Sequence, residues 1–66
     1  MQILAALRAD IASGRLRKGD RLDIGQLARR FAVARDTVRK ALGLLADEGA
    51  IWYVDGLGWF IGSPPP

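Results

Sequence analysis

Residues 33–45 decide the fold of this chain, and they read Val33-Ala34-Arg35-Asp36-Thr37-Val38-Arg39-Lys40-Ala41-Leu42-Gly43-Leu44-Leu45. Four apolar residues follow the i, i+3, i+4, i+7 spacing of a single helical stripe, namely Val38, Ala41, Leu42 and Leu45. Arg35 and Arg39 are four positions apart, so they project together from the side away from this stripe. Because guanidinium groups pair bidentately with guanine and also bind phosphate, such a helix suits the major groove of DNA. A solvated charged face on an ordinary core helix is the alternative interpretation.

Two further helices are predicted upstream of this stretch. The first has apolar residues at helical spacing between Ile3 and Ile11, and Ser13-Gly14 ends it. The second helix begins after Asp23. Gln26, three residues later, completes the capping-box pattern that Asp23 starts. Its buried stripe consists of Ile24, Leu27, Ala28 and Phe31. Because only Ala32–Ala34 separate it from the third helix, the pair predicts a helix-turn-helix.

A basic connector joins the first two helices. It runs from Arg15 to Leu22, with a turn predicted at Gly19-Asp20 and a short strand at Arg21-Leu22. Its cations either contact phosphates or are simply solvated, and the sequence alone leaves both interpretations open.

The last third of the chain predicts a β-hairpin. Strands are expected at Ile51–Val54 and Trp59–Ile61, around the Gly-containing loop 55–58. If Val54 faces Trp59, one face of the hairpin carries Trp52, Val54, Trp59 and Ile61. Only one face can cover the helices, so we expect these four residues to form a dimer or partner patch. The alternative is that both Trp side chains fold back over the small core.

Composition limits the classes of function. Sixty-six residues form one domain, and neither Cys nor His is present, so no metal site and no disulfide is expected. Catalysis by acid–base or nucleophilic chemistry lacks a candidate pair of residues, and we therefore expect no enzyme and no cofactor. No apolar run approaches the length of a membrane span and no signal-peptide pattern is present, which predicts a cytoplasmic protein without a membrane partner.

The charge of the chain is strongly polarised. All ten basic residues lie at or before Lys40 together with four acidic residues, which gives this part a net charge of +6. From Ala41 onward three acidic residues give a net charge of −3. A chain of this kind presents one surface that attracts a polyanion and another that does not.

The order helix, basic turn, helix, helix, glycine hairpin resembles the winged helix-turn-helix domain of GntR-type bacterial transcription regulators. The resemblance covers Ile3 to Ile61. The matching segments are Ile11-Ala12-Ser13-Gly14, Gly19-Asp20-Arg21-Leu22, Leu27-Ala28 with Phe31, Val33 to Leu42, Leu45-Ala46-Asp47-Glu48-Gly49 and Gly56-Leu57-Gly58-Trp59-Phe60-Ile61. It implies an α+β, mostly α, fold with three helices followed by a two-stranded hairpin wing. Residues 1–62 would form this domain, and residues 63–66 a Pro-rich tail or the start of a linker.

The resemblance also implies a function. A homodimer would bind a roughly palindromic site on double-stranded DNA in the bacterial nucleoid as a repressor or activator, a repressor being our first expectation. The resemblance covers the DNA-binding domain alone, so no effector ligand is expected to bind here. The alternative is a winged-helix interaction module that uses its aromatic hairpin.

Specific residues carry the expected DNA contacts. The family's base-reading or phosphate-binding roles fall on Arg35 and Arg39, with Thr37 contacting phosphate. Phosphate contacts are also expected from the outward basic residues, which are Arg17, Lys18, Arg21, Arg29, Arg30 and Lys40. The wing, at Gly56 to Gly58, would approach the minor groove.

The chain differs from the family pattern at several positions. Trp52 and Trp59 stand at strand positions that are usually polar, and the segment between Leu22 and Leu27 is one residue shorter than usual. Ala34 stands where a capping Ser or Thr is usual, and Gly25 where an Arg is frequent. Leu57 replaces the Arg that is frequent at the wing tip, so this tip cannot insert a cation into the minor groove.

Overall fold

A computed structural model describes residues 2–64. In that range the chain forms three helices, α1 (Gln2–Ala12), α2 (Ile24–Phe31) and α3 (Arg35–Asp47), and three strands, β1 (Arg21–Leu22), β2 (Ile51–Val54) and β3 (Gly58–Ile61). This order confirms the predicted winged helix-turn-helix. Pro65 and Pro66, part of the predicted tail, lie outside the described residues.

The helix ends follow from local chemistry. Asp23 is the N-cap of α2, and its side chain accepts a hydrogen bond from the backbone N–H of Gln26 at 3.1 Å, as predicted. Ala34 begins α3 without any side-chain cap, because its methyl group cannot accept a hydrogen bond. Between the two helices Ala32 adopts a left-handed conformation, with φ +55°, and its N–H bonds back to α2. The turn of the helix-turn-helix therefore requires a left-handed backbone conformation at Ala32, which is unfavourable for a residue with a β-carbon.

A three-stranded antiparallel sheet, in the order β1-β3-β2, closes the fold. The predicted short strand at Arg21-Leu22 thus joins the hairpin as a third strand, pairing Arg21 with Phe60 and Leu22 with Trp59. Within the hairpin, Ile51 pairs with Ile61 and Val54 with Gly58.

The predicted hairpin register is wrong by one residue. Trp59 faces Tyr53 rather than Val54, so the inner face carries Ile51, Ile61 and Trp59, whereas Trp52 and Val54 lie on the outer face. Burial of both isoleucines against the helices explains the difference, because a slip of one position moves every side chain of a strand to the other face.

One core joins the helices to the sheet. Its fully buried centre consists of Leu7, Val38, Ala41, Leu42 and Leu45, and the sheet closes it with Leu22, Ile51 and Ile61. At the periphery, Arg8 donates two hydrogen bonds to the carboxylate of Glu48, one of them 3.0 Å from Nε to Oε1. This ion pair fastens α1 to the end of α3. No helix within residues 2–64 is long and apolar enough to cross a bilayer.

Candidate nucleic-acid interface

Arg35, the first residue of α3, lies across the beginning of α2. Its Nη2 atom is 3.3 Å from the point that a β-carbon on Gly25 would occupy. Arg29 reaches the same place from α2, with its Nη1 atom 3.7 Å from that point. Two guanidinium groups from different helices are therefore gathered where Gly25 leaves space.

Arg21 extends this group of cations toward the wing. A β-carbon on Gly58 would lie 3.4 Å from its Nε atom and 3.7 Å from its Nη2 atom. Oδ1 of Asp23 lies 3.3 Å from the same point on Gly25. The pKa of Asp23 is held below its ordinary value chiefly by the hydrogen bond from the N–H of Gln26. The hydrogen bond from Gly25 and the positive charges of Arg29 and Arg21 lower this pKa further. We call Arg21, Arg29 and Arg35 the arginine arc.

The remaining predicted contacts of α3 lie along its outer side. Arg39 and Lys40 are exposed, and Nη1 of Arg39 bonds Oδ1 of Asp36 at 2.8 Å. This pair lies on the surface of a single helix, so it leaves Arg39 accessible and is weak in water. Thr37 is half-buried, and its N–H bonds the carbonyl of Ala34.

Arg30 is occupied elsewhere. Its Nη1 atom bonds Oδ2 of Asp10 at 2.9 Å, and its guanidinium lies 4.8 Å from the centre of the Phe31 ring. Asp10 is 8% exposed and is the one buried charged or polar residue of the described chain. A buried carboxylate needs a partner, so Arg30 compensates Asp10 and is not counted in the arginine arc, although it lines one pocket with Arg21 and Asp23.

Arg17 and Lys18 are also separate from the arc. Both belong to the turn before β1, where Asp20 accepts the N–H of Arg17 and Ile61 accepts that of Gly19. The side chain of Lys18 packs against Gly62, which follows the last residue of β3, whereas Arg21 lies against the first. Lys18 and Arg21 thus lie at opposite ends of β3.

The wing is the turn Asp55–Leu57 with the adjoining Gly58. Gly56 and Gly58 have φ values of +81° and +111°, a region that favours glycine. Leu57 at the tip is 59% exposed.

The predicted dimer or partner patch does not form one surface. Ile61 is buried in the core and Trp59 packs against it, whereas Trp52 and Val54 face outward. Trp52 instead pairs with Phe60, their ring centres 6.2 Å apart. These two rings, with Lys18 and Pro64, line an open groove of about 290 Å³.

Two residues of this region were missed by sequence reasoning. Asp10 falls on the apolar stripe of α1, three positions after Leu7, and a charge on a buried stripe is a signal that it needs a partner. In the sequence Gly25 marks only the loss of a family Arg, because no sequence pattern shows that Arg35 lies beside it.

Comparison with known proteins agrees with this fold. A model described as bacterial regulatory proteins, gntR family, matches residues 1–61. The arabinose metabolism transcriptional repressor of Geobacillus stearothermophilus is 31% identical over the whole chain, which spans 18% of that protein. The HTH-type transcriptional regulator Rv0792c of Mycobacterium tuberculosis is 39% identical over 96% of the chain, which spans 24% of that protein. The chain therefore covers less than a quarter of either relative.

Solved structures include similar domains. The AraR DNA-binding domain in complex with operator ORX1 superimposes with a TM-score of 0.86 at 29% identity, covering 92% of this chain and 75% of that one. The possible transcriptional regulator YydK from Bacillus subtilis has a TM-score of 0.82 at 33% identity, covering 98% of this chain and 29% of that one.

Proposed function

Since this chain belongs to the gntR family of bacterial regulatory proteins, we propose that it is the sequence-specific DNA-binding domain of a transcriptional regulator. The helix α3 enters the major groove of duplex DNA, where Arg35 and Arg39 face base edges. The solved complex of the AraR domain with its operator supports this proposal, because that domain shares the fold at 29% identity.

The observation that carries the proposal is the arginine arc. The guanidinium groups of Arg29 and Arg35 approach one point beside Gly25 together with the carboxylate of Asp23, and the charge of Arg21 also acts on that carboxylate. None of the three forms a salt bridge within the described chain. Concentrated positive charge of this kind is repulsive in the free protein and favourable against a polyanion.

The remaining predicted contacts are proposed with different roles. Lys40 and Thr37 hold phosphates beside α3, and Arg29 does so beside α2, which fixes the register without reading sequence. Arg17, Lys18 and Arg30 remain predicted phosphate contacts outside the arc. The wing, Gly56 to Gly58, lies against the minor groove. Repression, rather than activation, is proposed because the Geobacillus relative is named a repressor. We also propose that the protein acts in the bacterial cytoplasm, where the DNA is.

The proposal is tested by titrating the chain with a duplex obtained by selection and with each of its separated strands. We expect the duplex to bind more tightly than either strand, and Arg35→Ala to weaken duplex binding by about 1–3 kcal/mol. Arg8→Ala is the matched control, because it also removes one positive charge but lies in α1 beside Glu48, away from the predicted contacts. Equal affinity for duplex and single strands contradicts the proposal.

The homodimer stays a prediction, and we propose the outer sheet face around Trp52 and Phe60 as its contact. Support comes from the half-buried Trp52 and Phe60 rings, which lie on the face away from the core. Sedimentation of the chain at micromolar concentration tests this, with Trp52→Ala expected to shift the protein toward monomer. A wild-type chain that sediments as a monomer both free and on duplex DNA contradicts it.

A further inference from the structure

The tip of the wing carries no cation. Leu57 is exposed there, and Asp55, two residues before it, adds a negative charge. A duplex presents closely spaced phosphates on both sides of its minor groove, so an acidic and apolar loop gains nothing from their field. If the wing contacts DNA, its positive charge must come from another element.

Arg21 is the cation that lies beside the wing. It is exposed, and its Nε atom is 3.4 Å from the point that a β-carbon on Gly58 would occupy. The guanidinium therefore lies beside Gly58, at van der Waals distance from the position that a β-carbon there would take. No other cationic side chain comes within 4 Å of that point on Gly58, and none within 4 Å of the corresponding point on Gly56, among the residues described.

The sheet holds Arg21 in this place. Its backbone pairs with Phe60 in β3, so the side chain begins two residues from Gly58 on the neighbouring strand. Asp23 attracts the guanidinium electrostatically without forming a salt bridge at 4.0 Å or less. The backbone of Arg21 is thus fixed by strand pairing, whereas its guanidinium forms no salt bridge within the described residues.

We propose, on the basis of the DNA-binding function above, that Arg21 supplies the wing's cationic contact with duplex DNA in place of a residue at position 57. The wing of this chain is then a composite of two segments far apart in sequence. Gly58 provides the surface, and β1 provides the charge.

A double-mutant cycle tests the inference on the full chain and its selected duplex. Four proteins are titrated at several salt concentrations: wild type, Arg21→Ala, Leu57→Arg and the double variant. Arg21→Ala is expected to weaken binding and to lower the slope of log affinity against log salt by about 1. Leu57→Arg is expected to raise affinity by less than about twofold in the wild type but about tenfold in the Arg21→Ala background, because both side chains address the same phosphates.

The control and the opposing outcomes are distinct. Arg15→Ala is the control background, because it removes an exposed guanidinium near Asp10 instead of the one beside the wing. Leu57→Arg should raise affinity by the same factor in the Arg15→Ala background as in the wild type. Thermal unfolding of each free variant shows that the fold is kept, and Arg21→Gln replaces Arg21→Ala should the latter unfold. A gain from Leu57→Arg that is equal in the wild-type and Arg21→Ala backgrounds, or an unchanged salt slope for Arg21→Ala, overturns the inference while leaving DNA binding intact. A wild type that binds no duplex contradicts the proposed function itself.

Discussion

The Nη2 atom of Arg35 lies 3.3 Å from the point where a β-carbon of Gly25 would be, so the first residue of α3 reaches over the first turn of α2. At this distance a side chain at position 25 would require the guanidinium to move by a few tenths of an ångström. The orientation of the principal proposed base-reading residue thus depends on a residue in another helix that need not touch DNA.

Gly25→Ala is expected to separate stability from binding. Alanine favours the helix by up to about 1 kcal/mol over glycine, so thermal unfolding should move upward. The new methyl group lies 3.3 Å from both Nη2 of Arg35 and Oδ1 of the capping Asp23. Arg35 must move to accommodate it, so affinity for the selected duplex should fall. Gly43→Ala is the matched control, because it is also helical and no atom comes within 4 Å of its added β-carbon. A Gly25→Ala variant with unchanged affinity contradicts the role given to this contact.

Arg39→Ala is expected to reduce sequence preference. The loss should be about 1–3 kcal/mol on the selected duplex and smaller on a random duplex, because a bidentate base contact is lost. Lys40→Ala, a change at the next position of the same helix, should lower the affinity for the selected duplex and for the random duplex by similar factors. Equal losses on both duplexes for Arg39→Ala would assign it to the phosphate backbone.

Ala32→Gly is expected to stabilise the chain. Ala32 has a φ of +55°, a conformation that costs a residue with a β-carbon about 1–2 kcal/mol relative to glycine. Part of this gain is offset by the greater freedom of glycine in the unfolded chain, so we expect a net gain of about 0.5–1 kcal/mol in denaturant unfolding. Ala5→Gly, an exposed position within α1, should have the opposite sign. A destabilised Ala32→Gly variant would be inconsistent with this backbone geometry.

Acid should remove the contribution of the Arg8–Glu48 pair. The hydrogen bond and positive charge of Arg8 hold the pKa of Glu48 below its ordinary value of 4.5. A lowered carboxylate pKa stabilises the fold above the unfolded-state value, and this contribution disappears as the pH falls through the folded-state value. Glu48→Gln should therefore lower the melting temperature slightly at pH 7 and have less effect below pH 4.5. If the difference in melting temperature between the wild type and Glu48→Gln stays constant down to about pH 3, the effect comes from packing and not from the ion pair.

The helices were predictable because their signals are local. Apolar spacing, the Asp23 cap and the glycines near the ends of α1 and α3 act within a few residues, and the structure confirms these elements. The hairpin register was not predictable from such signals. It is decided by the pairing of Ile51 with Ile61 against helices that lie far away in the sequence.

The candidate site was predictable in its residue types and less so in its arrangement. Exposed arginines and lysines could be named from the charge pattern, but nothing in it distinguished Arg30, which compensates Asp10, from Arg29, which joins the arginine arc. Adjacent residues on a helix point in directions 100° apart, so the partner of each is set by tertiary packing.

Selection from a pool of random duplexes at moderate salt tests the central claim most directly. We expect the wild-type chain to enrich a defined sequence. The Arg35→Ala, Arg39→Ala double variant, selected in parallel, should lose this enrichment while retaining weak binding to all duplexes. Recovery of random sequences by the wild type, or of the same sequence by the double variant, would contradict it.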